Sequence, residues 1–212
     1  MRATTFIRQL GEDALSEPGY GLLYNWYAAS DANFAPAGWS VPTTYQLIDL
    51  IVIYLGGDTN AGYILKEVGT VHWNPPNPSI DTYGFSFLGA GVRNNSGIFQ
   101  NFKTYGRLNT ITENDINTAQ NWLATSSEYS FIQSSVNKKY GASVRLIKND
   151  STDPGTMTDY DGNIYPTVKI GTQVWTAANW KCTHLKNGTV IPEVTDNTAW
   201  AALTTKGCCT YV

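Results

Sequence analysis

Charge is what this chain has least of. Asp, Glu, Lys and Arg make up 15% of its 212 residues, against about 25% in an ordinary soluble domain. The net charge is −3, and Lys and Arg form no stripe, so no nucleic-acid partner is expected. No apolar run approaches the ~20 residues of a membrane-spanning helix, so no membrane insertion is expected. Residues 1–17 lack the apolar core and small-residue cleavage site of a secretory signal, and none is expected there.

Reactive side chains are equally scarce. The two histidines stand apart, His72 before a proline run and His184 among turn residues. Cys182 is the one cysteine close to either of them and no acidic cluster accompanies them in sequence, so no metal site is expected. Asp159-x-Asp161-Gly162-Asn163 begins like a calcium loop, but the later ligands and the closing Glu are missing, and a hairpin turn is the expectation. Without a Glu-Pro-Asn motif, calcium-dependent sugar binding is not expected. No nucleophile, base and orienting group recur together, so neither catalysis nor a cofactor is expected. The three cysteines are Cys182, Cys208 and Cys209. Adjacent cysteines do not bond to each other in relaxed geometry. The candidate disulfide is therefore Cys182 with Cys208 or Cys209, and a fully reduced chain is the equal alternative.

Aromatic residues, with Gly, Asn, Thr and Ser, fill the space that charge leaves. Seven Trp, thirteen Tyr and seven Phe bring the aromatic share to 13%, a composition that suits a loop-rich, extracellular-type domain. The length allows one large domain or two small ones. The most apolar stretch is Ala37–Gly57. Thr43 and Gln46 have capping-box spacing, Pro42 and Leu47 that of a hydrophobic staple, and Gly56-Gly57 provides a left-handed stop. This predicts a central core helix of about three turns, covered on most sides; a buried strand over Leu50–Leu55 is the alternative.

Residues 1–17 are read as an arm in which Phe6, Ile7 and Leu10 dock on a neighbour, or as a frayed terminus. Residues 20–29 have the spacing of a short amphipathic helix. Strands are expected over 86–93, 98–102, 122–128 and 141–148, with a long polar loop over 103–120 serving a ligand or an oligomer contact. Residues 149–158 have linker composition. Beyond them, a hairpin turn at Asp161-Gly162-Asn163, strands over 164–169 and 173–176 about Gly171-Thr172, a turn at Lys186-Asn187-Gly188, and a small helix begun by Asp196 with Trp200 facing inward are expected.

Several motifs together suggest a family. Tyr20-Gly21-x-Leu23-Tyr24-Asn25-Trp26-Tyr27-Ala28, Gly38-Trp39-x-Val41-Pro42-Thr43, Gly84-Phe85-Ser86 with Gly91-x-Arg93, Trp122 with Ser126-Ser127-Glu128, and Ser143-Val144-Arg145 resemble the Fibrobacter succinogenes major paralogous domain. So does Asp161-Gly162-Asn163-x-Tyr165-x-Thr167-Val168-Lys169-Ile170-Gly171-x-Gln173-x-Trp175, with Ala178-Asn179 and Asp196-Asn197-x-x-Trp200. The resemblance covers most of residues 20–212. It implies an α+β, C-type lectin-like fold, distantly similar to the formylglycine-generating enzyme fold. In the family the segment beginning at Asp161 comes first, and here it comes last. A circular permutant, an N-terminally trimmed domain paired with the start of a second copy, or completion by strand exchange with a neighbouring subunit is therefore expected. Leu146 stands where the family commonly has a cysteine, so the resemblance makes Cys182 a replacement partner.

The organisation expected is an arm over 1–17, the main part of a lectin-like domain over 18–148, a linker over 149–158, and completing strands with a short helix over 159–212. The function expected is a non-catalytic binding or structural module on a phage virion surface: a head or tail decoration, a fibre or an adhesin. The alternative is a domain of a secreted or cell-surface adhesin. A formylglycine-generating-like enzyme is the distant third, because Cys208-Cys209 lies in the wrong segment for that chemistry. Other virion or surface proteins, a host-surface glycan or protein, and further copies of the chain in a homo-oligomer are the expected partners. Aromatic rings flanked by amides suit sugar stacking and protein recognition. The ligand-binding candidates are Asn94, Asn95, Asn101, Tyr105, Tyr129 and Tyr140, while Trp122 is expected in the core.

Overall fold

The computed structural model describes residues 19–211; the arm expected over 1–17 lies outside them. The single helix expected over 20–29 is divided. Leu23–Tyr24 is a short strand, β1, and Trp26–Ala29 a single helical turn, α1. Asn25 causes the break: its side chain accepts the Ala28 N–H at 3.0 Å and donates to Thr205 O at 2.8 Å. Asparagine favours such a cap over a helix interior.

After strand β2, Trp39–Ser40, comes the helical stretch. Thr43 Oγ1 accepts the Gln46 N–H at 3.2 Å and Gln46 Oε1 accepts the Thr43 N–H at 2.8 Å, the expected capping box. Helix α2 is Thr44–Asp49, and Leu50–Tyr54 then widens into a π-helical turn. Gly56 and Gly57, at φ 76° and 117°, end it, and the Gly57 N–H reaches Ile51 O at 2.9 Å. Coverage on most sides is corrected here. Leu50, Ile51 and Leu55 are buried, but Val52 and Ile53 are 59% and 65% exposed. The apolar run is longer than the covered face, and the wider turn leaves its middle in solvent. Helix α3, Asp58–Leu65, follows. At Gly62 a Cβ would lie 2.2 Å from Ser130 O, so this helix approaches the chain near Ser130 at backbone distance.

The strand expected over 86–93 is reduced to β3, Val92–Arg93, paired with β4, Phe99–Gln100. Ser86 and Gly91 adopt left-handed φ of 49° and 66° and interrupt the extended run. The polar loop expected over 103–120 is a second correction. Strands β5 (Tyr105–Glu113), β6 (Thr118–Thr125) and β7 (Phe131–Asn137) form an antiparallel meander. Its polarity misleads because one face carries polar residues such as Arg107, Asn109 and Asn121, while Leu108, Trp122, Ala124 and Phe131 enter the core.

The strand expected over 141–148 keeps only β8, Ile147–Lys148, as a named strand, with bridges from Gly141, Ala142 and Ser143 to Arg93, Tyr24 and Leu108. Part of the expected linker is strand β9, Thr156–Thr158. Strands β10 (Ile164–Ile170) and β11 (Gln173–Thr176) form the expected hairpin about Gly171, at φ 61°. Asp196 caps helix α4, Asn197–Ala202, and strand β12 is Cys208–Cys209.

The architecture is α+β, dominated by strands in several small sheets. The largest has the order β2-β8-β11-β10-β9, and β12 pairs with β1. Trp175 lies opposite Ile147, and Tyr24 opposite Cys208, so late strands are joined to early ones within one chain. Trp73, Phe85, Trp122 and Trp175 fill one core cluster with the π turn. Tyr24, Phe34, Val144, Tyr165 and Trp180 fill a second, and Trp200 anchors a third. No described helix is long and apolar enough to cross a membrane.

Candidate functional site

The hairpin between β9 and β10 builds one wall of a cleft. Asp159 organises the turn: its carboxylate accepts the Asn163 N–H and the Asn163 side-chain amide, both at 2.9 Å, and the Tyr165 hydroxyl at 2.6 Å. The calcium-like sequence thus spends Asp159 on its own loop. Tyr165 stacks on Trp180 with ring centres 4.7 Å apart. Burial first, then the hydrogen bond to Asp159, pushes its hydroxyl far above the ordinary phenol range.

The cleft holds about 360 Å3 and is lined by Phe34, Pro36 and Ala37 on one side, and by Tyr160, Trp180, Cys182, His184 and Lys186 on the other. Tyr160 is 58% exposed, and its ring lies against His184 at 5.3 Å. His184 Nδ1 bonds Asp161, whose carboxylate also accepts the Thr183 N–H and hydroxyl. Burial opposes charge on Asp161, but these bonds hold its pKa below the usual carboxylate value. Lys186 Nζ donates to Ala32 O at 2.9 Å and ties the two sides together. The Trp180 indole N–H is buried with no partner among the described residues, which leaves a donor in the cleft wall unmatched. Such a wall, part aromatic and part polar, suits a small ligand carrying hydroxyl or carbonyl groups.

The thiol beside it is a poor nucleophile. Cys182 donates to His184 O, and burial pushes its pKa up to about 12. No disulfide is formed: Cys182, Cys208 and Cys209 are all free and buried. On β12 successive side chains point to opposite faces, so Cys208 shares the core cluster of Cys182 and Cys209 faces the cluster around Trp200.

None of the six residues singled out in the sequence lines this cleft. Asn94 is committed to the β3–β4 turn, accepting the Ser96 and Ile98 N–H groups at 2.9 and 3.0 Å, with Asn95 exposed at its tip. Asn101 takes a left-handed φ of 61°, and its carbonyl accepts the Tyr105 N–H. Tyr129 is exposed beside Tyr63, at 5.1 Å between rings. Tyr105 stands on β5 and Tyr140 just past the end of β7, both close enough to act on Arg107. Sequence reading passed over Arg107 and the cleft residues Phe34, Tyr160 and Trp180, and weighed Asp159 only in a calcium-like loop and Lys186 only in a turn. Period-two alternation through Tyr105–Glu113 was a usable signal for Arg107. The cleft had none, since its two sides are more than a hundred residues apart.

The family model described as Fibrobacter succinogenes major domain matches residues 7–148. No curated protein and no solved structure matches the chain. The meander lies within the matched range, whereas the cleft takes Phe34, Pro36 and Ala37 from it and its other wall from beyond it.

Proposed function

Since this chain belongs to the Fibrobacter succinogenes major domain family, we propose that it is a non-catalytic recognition module of C-type lectin-like fold, displayed on a phage virion surface. The observation that carries the reading is the cleft between Phe34–Ala37 and Tyr160–Lys186. It offers the exposed ring of Tyr160, while its carboxylates, thiol and imidazole are held in structural hydrogen bonds. The pairing of β1 with β12 supports the lectin-like reading, because that fold sets its early and late strands side by side. Low charge and abundant aromatics support a surface-displayed role.

The test is a panel of oligosaccharides and surface extracts read by tryptophan fluorescence, together with immunodetection on intact particles. A ligand that quenches Trp180 should bind at least ~10-fold more weakly to Tyr160→Ala, which corresponds to about 1.4 kcal/mol. Equal binding by that variant, absence from the particle fraction, or saturable turnover lost on Cys182→Ser would each count against the proposal.

A further inference from the structure

Three arginines lie among the described residues, and two have all three guanidinium nitrogens engaged. Arg93 donates to the carbonyls of Gly97, Val194 and Thr195 and to the Asn197 side chain. Arg145 donates to Asn179 and to the carbonyls of Phe85, Thr176 and Ser86. Both are fully buried. Arg107 differs. Only its Nη1 is engaged, with Asn121 Oδ1 at 2.9 Å and Ser134 Oγ at 3.2 Å. Its Nε and Nη2 donate to no described residue, and no carboxylate among the described residues pairs with it.

Its position is built rather than incidental. Arg107 stands on β5 opposite Leu123 of β6, which in turn lies opposite Ile132 of β7. The half-buried guanidinium is held sideways by Asn121 and Ser134 from the neighbouring strands. An arginine only donates, so the Asn121 amide must turn its oxygen toward it. The Asn121 Nδ2 group is then left buried without a partner among the described residues. Burial lowers the guanidinium pKa, and Tyr140 and Tyr105 lie close enough to oppose that shift. A half-buried cation with free parallel donors and no counter-charge among the described residues is stabilised when an anion completes it.

We propose that this face of the meander binds a carboxylate carried on a sugar ring, with Arg107 as its anchor. The guanidinium fork matches a carboxylate in two parallel bonds. Lys138 and Lys139 are already committed, Lys138 to Glu113 and the Ile116 carbonyl, Lys139 to the Ala201 carbonyl. Arg107 itself brings a single positive charge, which suits a carboxylate monoanion better than a phosphate dianion. The phenol rings of Tyr105 and Tyr140 provide flat surfaces for the ring bearing it, as aromatic groups do in sugar and protein recognition.

The full-length chain is titrated with sodium glucuronate, glucose and N-acetylglutamate, and read by NMR of the Arg107 Nε and the Tyr105 and Tyr140 ring signals. Glucuronate should saturate these shifts at millimolar concentration, with glucose at least ~10-fold weaker. Arg107→Gln should lose at least ~10-fold, a cost of about 1.4 kcal/mol. Arg107→Lys should fall between, since it keeps the charge and loses the fork. Tyr160→Ala, in the separate cleft, should bind glucuronate unchanged, so failure here and failure of the cleft reading are told apart. The wild-type shifts decide the matter even if Arg107→Gln does not fold. Silent wild-type signals, equal binding of glucose, or unchanged binding by a folded Arg107→Gln overturns the site. N-acetylglutamate as tight as glucuronate overturns the sugar and assigns an acidic peptide instead.

Discussion

At the scale of the residue, buried cations in this protein are paired with backbone carbonyls more than with acids. Lys66 is fully buried, and its Nζ donates to the carbonyls of Thr125, Ser126 and Glu128 at 2.9, 3.3 and 2.8 Å. It also lies 5.3 Å from the centre of the Trp73 ring. Burial lowers its pKa to about 8, against a smaller opposing pull from Glu128. Lys66→Met would leave these carbonyls unmatched, so a loss of about 2–4 kcal/mol is expected in urea unfolding at pH 7. The thiols shape the alkaline limit. Burial pushes Cys182, Cys208 and Cys209 up to about 12, above the ordinary thiol value of about 8.5. Their stabilisation is complete below the unfolded value and is lost as pH rises through the folded one. Burial raises the buried phenols of Tyr24 and Tyr165 too, which adds to the same trend. Lys66, and Arg145 lowered by burial to about 9, act in the opposite sense, but the acidic groups outnumber them. The melting temperature should therefore fall between pH 9 and 12, and Cys208→Ala should flatten that slope in a circular-dichroism series.

At the scale of the element, the helical stretch separates what local sequence specifies from what packing specifies. Thr43, Gln46, Gly56 and Gly57 marked its ends correctly, because caps and stops are interactions between near neighbours. The π turn inside it, and the exposure of Val52 and Ile53, depend on which side meets Trp73, Phe85 and Trp175. Ile51→Ala should cost about 2–5 kcal/mol, while Val52→Ala should stay within about 0.5 kcal/mol; paired denaturant titrations make the comparison. Equal losses would return the stretch to a fully covered helix. The meander teaches the converse. Asn, Thr and Gln along Tyr105–Gln120 read as loop, yet they form strands because the alternate positions are buried.

At the scale of the whole molecule, the last third of the chain completes what the first begins. Trp175 from β11 enters the core beside Ile147, and β12 covers β1. Residues 1–150 alone would expose the faces that receive Trp175, Trp180 and Cys208. That fragment is expected to be insoluble or to unfold without cooperativity, and to recover when 151–212 is supplied in trans. A soluble fragment melting as sharply as the full chain would refute this dependence.

The sequence by itself determined the α+β class, the family, the capping box, the β10–β11 hairpin and the helix begun by Asp196, because each rests on contacts within a few residues or on motifs read in order. Tertiary structure alone decided the rest. It assigned Asp159 to its own hairpin, opposed Cys208 and Cys209 across a strand, saturated Arg93 and Arg145, and left Arg107 with free donors. The physical reason is reach. A side chain's partners across a sheet or cleft are set by strand register and by residues a hundred or more positions away, and no local pattern encodes which donors the finished fold will leave unmatched.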